Sequence, residues 1–150
     1  MRVYFLLCCS SQLLCCLIFL TRASFAVDSL RPLESIKDGG TLVSPDGSFE
    51  LGFFSPGSAK NRYLGIWYKN IPVQTVVRVA NRCNPITNST SGLLTLNGSG
   101  NLVLLGQKKT VVWSSTTTTT TTKRSLIKQP QKPILQLLDS GNPAIGDEKE

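Results

Sequence analysis

Apolar residues between positions 41 and 138 come in short runs, and no segment sustains the 3.6-residue repeat of an amphipathic helix. The runs cover residues 41–43, 49–54, 63–68, 75–80, 93–96, 102–105, 111–114 and 134–138. Their β-branched and aromatic content predicts strands. Asp46-Gly47, Asn97-Gly98, Ser99-Gly100 and Ser140-Gly141 fall between runs. Tight hairpins need such residues there, because glycine tolerates positive φ. Short strands separated by turns predict an all-β domain.

The turns repeat. Asp46-Gly47-Ser48-Phe49, Ser99-Gly100-Asn101-Leu102 and Ser140-Gly141-Asn142-Pro143 share a polar, Gly, polar, mostly apolar pattern. The glycines lie 53 and 41 residues apart. A repeat of this length suggests sheets arranged around a common axis, each burying one face against the others. The third copy is expected to be truncated, since Pro143 falls where a strand should start and seven residues follow it.

Residues 1–26 have a different character. Met1-Arg2 gives a positive start, residues 3–20 are mostly apolar, and Ala23-Ser24-Phe25-Ala26 carries small residues at the positions a signal peptidase reads. This layout predicts a secretory signal peptide over 1–26, cut after Ala26, with a retained membrane anchor as the alternative. Residues 27–150 then form one secreted domain with no second long apolar run.

Composition narrows the chemistry. The chain has 16 Lys+Arg, 9 Asp+Glu and no His. Without His there is no His-based triad, no His general base and no His-containing metal site. Four of the five cysteines leave with residues 1–26, so a four-thiolate zinc site is excluded as well, and Cys83 has no partner within the mature chain. Asp28, Glu34, Asp38, Asp46 and Glu50 are scattered and form no recognisable acid–base pair. No metal or cofactor is expected, and a recognition module is favoured over an enzyme.

Two N-glycosylation triplets, Asn88-Ser89-Thr90 and Asn97-Gly98-Ser99, agree with secretion. Seven consecutive threonines at 116–122 lead into Lys123, Arg124, Lys128 and Lys132. Residues 116–132 read as a solvated low-complexity loop, with a basic patch for anionic glycans as the alternative. Nucleic acid is a poor partner, because few aromatic residues stand among the basic ones to stack on bases.

Longer motifs carry a resemblance. Gly40-Thr41-Leu42-Val43-Ser44 and Phe49-Glu50-Leu51-Gly52-Phe53-Phe54-Ser55-Pro56-Gly57 come first. Asn61-Arg62-Tyr63-Leu64-Gly65-Ile66-Trp67-Tyr68, Val79-Ala80-Asn81-Arg82 and Asn84-Pro85-Ile86 follow. Then come Gly100-Asn101-Leu102-Val103-Leu104, Val112-Trp113-Ser114-Ser115 and Leu137-Leu138-Asp139-Ser140-Gly141-Asn142. Over residues 27–142 the chain resembles the bulb-type lectin domain of plant S-domain (G-type lectin) receptor-like kinases and S-locus glycoproteins. The resemblance implies a β-prism of three four-stranded antiparallel sheets with pseudo-threefold symmetry. It implies no kinase activity for this chain, which has no Gly-rich phosphate loop, no H-R-D and no D-F-G.

Mannose-binding members carry Q-x-D-x-N-x-V-x-Y, read here as one strand with alternate residues on one face. The matching positions in the second repeat are Asn97, Ser99, Asn101, Val103 and Leu105, of which Asn101 and Val103 agree. The first repeat keeps only Asp46 and the third only Asn142. The sugar site therefore reads as eroded, and a glycan on Asn97 would crowd it; the alternative to a recognition module is a degenerate, truncated receptor-ectodomain fragment without activity of its own. The family also places a Trp in each repeat. Trp113 fills the second position, and Arg78 stands at the first. Arg78 either points inward at a cost or snorkels to the surface. The expected partners are mannose-type glycans or a cell-surface protein, with homodimer formation through an unpaired sheet edge as a further route.

Overall fold

The computed structural model describes residues 26–87, 92–115 and 130–148. The Thr tract, the basic residues 123–129, Asn88 and residues 1–25 lie outside these, so the loop and signal-peptide expectations fall mostly outside the described residues.

Among the described residues, twelve strands form three sheets. Four short ones come from the N-terminal half: β1 (Ala26–Val27), β2 (Ser29–Leu30), β3 (Ser35–Lys37) and β4 (Thr41–Val43). Then follow β5 (Phe49–Phe54), β6 (Tyr63–Tyr68), β7 (Val76–Val79), β8 (Leu93–Leu96), β9 (Leu102–Leu105), β10 (Val111–Ser114), β11 (Pro133–Leu137) and β12 (Pro143–Asp147). The sheet orders are β1-β4-β5-β6-β7, β10-β9-β8-β3 and β12-β11-β2. Among the described residues no helix is long and apolar enough to cross a membrane.

The threefold repeat is visible in the pairing. Each sheet is built on one hairpin: β4–β5, β8–β9 or β11–β12. Each hairpin takes a short N-terminal strand on its outer side, β1 on β4, β3 on β8 and β2 on β11. Between these strands every pairing is antiparallel except β1 with β4, and one isolated parallel bridge joins Pro32 to Leu96. The implied four strands per sheet become five, four and three. The first sheet gains β7 beyond β6, and the third is the short one. Pro143 does not prevent the last strand, because it is the first residue of an edge strand and no ladder hydrogen bond is lost there. The third sheet obtains its third strand from the chain's own Ser29–Leu30.

Side-chain alternation places the core. In β5 and β6, Leu51, Phe53, Leu64 and Ile66 point to the inner face. They meet Ile36, Leu94, Leu96, Leu102 and Leu104 of the second sheet and Leu30, Leu135 and Leu137 of the third. Leu42, Leu94, Leu104, Leu135 and Leu137 are fully buried. The opposite face of the first sheet is covered by its own aromatic rings. Gly52 and Gly65 face each other across β5 and β6. Trp67 lies over the first, and Phe54 over the second at 2.6 Å from where a Cβ would stand. Trp67 is thus buried outside the main core, with its indole N–H donating to Glu50 Oε2 at 3.0 Å.

Candidate functional site

The three hairpin turns carry the motif positions. Gly47, Gly100 and Gly141 have φ of 76°, 74° and 72°, the left-handed region that glycine enters without strain. In each turn the glycine N–H donates three residues back, to the carbonyls of Ser44, Asn97 and Leu138 at 2.8, 3.0 and 2.8 Å. The second and third turns close with Asn97 N–H to Asn101 O and Leu138 N–H to Asn142 O, both 2.9 Å. The first is one residue longer and closes from Ser44 N–H to Phe49 O at 3.0 Å.

This geometry corrects the reading of the motif as one strand. Asn97, Ser99 and Asn101 lie in the turn between β8 and β9, and only Val103 and Leu105 lie on a strand. A strand needs a partner ladder along its length, and glycine at positive φ reverses the chain instead. Asn97 Oδ1 accepts the N–H groups of Ser99 at 3.1 Å and Asn101 at 2.8 Å, an Asx turn that holds the loop closed. Asn97 and Ser99 are exposed, and Asn101 is half-buried. Val103 and Leu105 share the outer face of β9, half-buried, opposite the core residues Leu102 and Leu104.

Asp46 belongs to a different cluster. Its Oδ1 accepts from Ser44 Oγ at 2.7 Å and Ser48 N–H at 2.9 Å, and its Oδ2 from Ser48 Oγ at 2.7 Å. Its own N–H donates to Asp139 Oδ1 at 3.0 Å, which joins the first turn to the third. The Ser48 hydroxyl, the Ser48 N–H and the Ser44 hydroxyl hold the Asp46 carboxyl well below the usual carboxylate range. A depressed carboxyl contributes stability above its unfolded value of about 4, which is lost as pH falls through the lower folded value. In urea titrations between neutral pH and strong acid, the wild-type midpoint should therefore fall further than that of Asp46→Asn below about pH 4. Parallel curves would mean that the carboxylate form of Asp46 is not specifically stabilised.

The third turn is engaged by a residue from the first sheet. Arg78 is exposed, and its Nη2 donates to Asn142 Oδ1 at 2.7 Å. Of the two orientations left open by the sequence, the structure takes the surface one. Arg78 nevertheless pairs with the core residue Ile66, so its stem starts on the inner face. Beside it is a cleft of about 440 Å³ at the meeting of the sheets, lined by Leu51, Leu64, Ile66, Arg78, Leu102 and Trp113. Motif reading missed this cleft; its sequence signal was the lone cation inside the apolar run Val76-Val77-Arg78-Val79. Cys83 is exposed and forms no disulfide among the described residues. Among the described residues no group of His, Cys, Asp or Glu converges to hold a metal ion.

The Val79-Ala80-Asn81-Arg82 motif has a structural role. Asn81 is buried; its Oδ1 accepts Leu64 N–H at 2.8 Å. Its Nδ2 donates to Arg62 O at 3.3 Å and Asn84 O at 3.1 Å. One side chain thereby ties β6 to the loop after β7.

Comparison with known proteins agrees with this architecture. The family model described as D-mannose binding lectin matches residues 75–150. The Arabidopsis thaliana G-type lectin S-receptor-like serine/threonine-protein kinase B120 is 52% identical over 99 residues, 64% of this chain and 12% of the relative. A second Arabidopsis thaliana kinase of that name, At1g61390, is 38% identical over 134 residues, 89% of this chain and 15% of the relative. The chain thus spans a small part of the length of these relatives. Among solved structures, the mannose-specific agglutinin of snowdrop (Galanthus nivalis) bulbs, complexed with methyl-α-D-mannoside, superposes with a TM-score of 0.54 at 17% identity. That match covers 83% of this chain and 93% of the agglutinin and speaks to the fold.

Proposed function

Since the chain belongs to the D-mannose binding (bulb-type) lectin family and is related to receptor-kinase ectodomains, we propose that it is a non-catalytic extracellular recognition module whose family-type sugar site is eroded. The observation that carries this reading is the second turn. Asn97 stands where the motif has Gln, and its Oδ1 is engaged by two backbone N–H groups inside the loop. Ser99 replaces the motif's Asp with a shorter, uncharged hydroxyl, and Leu105 replaces its Tyr. Two of the polar contacts that fix a sugar's orientation are thereby weakened and one is removed.

The other turns are no more complete. Asp46 is tied to Ser44 and Ser48, and Asn142 is bound by Arg78. Recognition then falls to the remaining prism surface, toward a glycan of other chemistry or a cell-surface protein. Secretion through a signal peptide over residues 1–26 and N-glycosylation at Asn88 and Asn97 belong to the same proposal. Cleavage after Ala26 would leave Val27, which pairs with Leu42, at the new N-terminus. A glycan joined to Asn97 Nδ2 would leave the two bonds to Oδ1 in place.

The purified chain should pass through mannose–agarose unretained at millimolar sugar sites. Calorimetric titration with methyl-α-D-mannoside should show no saturable heat. Retention that disappears in Asn101→Ala would establish a working family-type site and overturn the erosion.

A further inference from the structure

The cleft between the sheets has a composition that selects a ligand. Its floor is aliphatic: Leu51, Leu64, Ile66 and Leu102. Trp113 forms one wall and offers a ring for stacking. Two cations, Arg78 and Arg82, stand at its exposed rim, and no carboxylate is among the lining residues. Among the described residues neither arginine forms an ion pair with Asp or Glu, whereas Arg31, Arg62 and Lys69 do. Arg78 donates instead to the neutral amide of Asn142. A carboxylate would replace it with a charge-assisted pair of matching planar geometry.

The backbone explains why the space exists. β7 and β10 are the last strands of their sheets, and each contains a bulge. Val77 is the extra residue in β7 and Val112 in β10, so that Arg78 and Trp113 each directly follow a bulged valine. At Trp113 the position is filled by an indole packed against the core. At Arg78 the guanidinium reaches out to the third turn, and the volume on the inner side stays open beside Ile66.

We propose that this cleft binds a small aromatic carboxylate, with its ring against Trp113 and the leucine floor and its carboxylate on Arg78 and Arg82. The volume of about 440 Å³ lies in the range of small-molecule pockets. The site is separate from the sugar-motif residues of the second turn, so it stands or falls independently of mannose binding.

The probe is indole-3-carboxylate, titrated calorimetrically into the 150-residue chain. Saturable binding near 0.1 mM, on the order expected for a ligand of this size, is the expected result. Neutral indole should bind about tenfold more weakly, and Arg78→Gln should lose about tenfold for the carboxylate but not for indole. Arg78→Trp, which places an indole in the cleft covalently, should abolish binding and raise the melting temperature. Unchanged far-UV circular dichroism in Arg78→Gln separates loss of the site from loss of the fold. Absence of saturable binding to the wild-type chain, or equal affinity in wild type, Arg78→Gln and Arg78→Trp, would overturn the proposal.

Discussion

Leu104→Ala is expected to destabilise the domain by about 3–5 kcal/mol, read as a lower urea midpoint with an unchanged slope. Leu104 is fully buried on β9 and joins a core cluster drawn from all three sheets. Truncation removes its transfer free energy and leaves a cavity that three converging sheets cannot easily close. The neighbouring Leu105 provides the control. It lies on the same strand but on the outer face, half-buried, and Leu105→Ala should cost about 1 kcal/mol. Equal losses at the two positions would contradict the inward and outward assignment of β9.

Asn81→Ala should cost about 2–4 kcal/mol, because it removes three hydrogen bonds at a buried site. The Leu64 N–H loses its side-chain acceptor, and the carbonyls of Arg62 and Asn84 lose an amide donor. Arg62 O keeps the N–H of Ile86 at 3.0 Å, which limits the loss there. Hydrogen exchange at the Leu64 amide should accelerate beyond the global change in stability. Asn81→Asp should be as damaging at neutral pH, since the carboxylate keeps the acceptor for Leu64 but sets an oxygen against two carbonyls. A silent Asn81→Ala would mean that water replaces the side chain without cost.

Much of the fold is legible residue by residue. The runs at 41–43, 49–54, 63–68, 93–96, 102–105 and 111–114 are strands at those bounds, because short apolar runs bounded by turn residues can set alternate side chains on a core and an outer face. The predicted strand at 75–80 shortens to Val76–Val79, and that at 134–138 shifts to Pro133–Leu137. Gly47, Gly100 and Gly141 announce their turns through an adjoining polar residue and adopt positive φ. The two- and three-residue strands β1, β2 and β3 carry too few side chains to show a period, and β12 is hidden by Pro143 and Gly146. Part of the candidate site escapes for a related reason. Spacing alone does not say whether Asn97, Ser99 and Asn101 lie along a strand or around a turn.

By itself, then, the sequence determined the all-β class, the threefold repeat of turns, the family resemblance and the mismatches at Ser99 and Leu105. These follow from local chemistry: which residues favour extended backbone, which tolerate positive φ, and which carry a hydrogen-bonding group. The tertiary structure alone decided that Leu30 pairs with Leu135 to extend the third sheet, that Asp46 joins the third turn through Asp139, and that Arg78 leaves the core for Asn142. Each of these joins residues tens of positions apart, so their energies depend on how three sheets meet and not on any local pattern. The cleft beside Arg78 is the same kind of fact, a volume left where long-range packing directs one side chain outward.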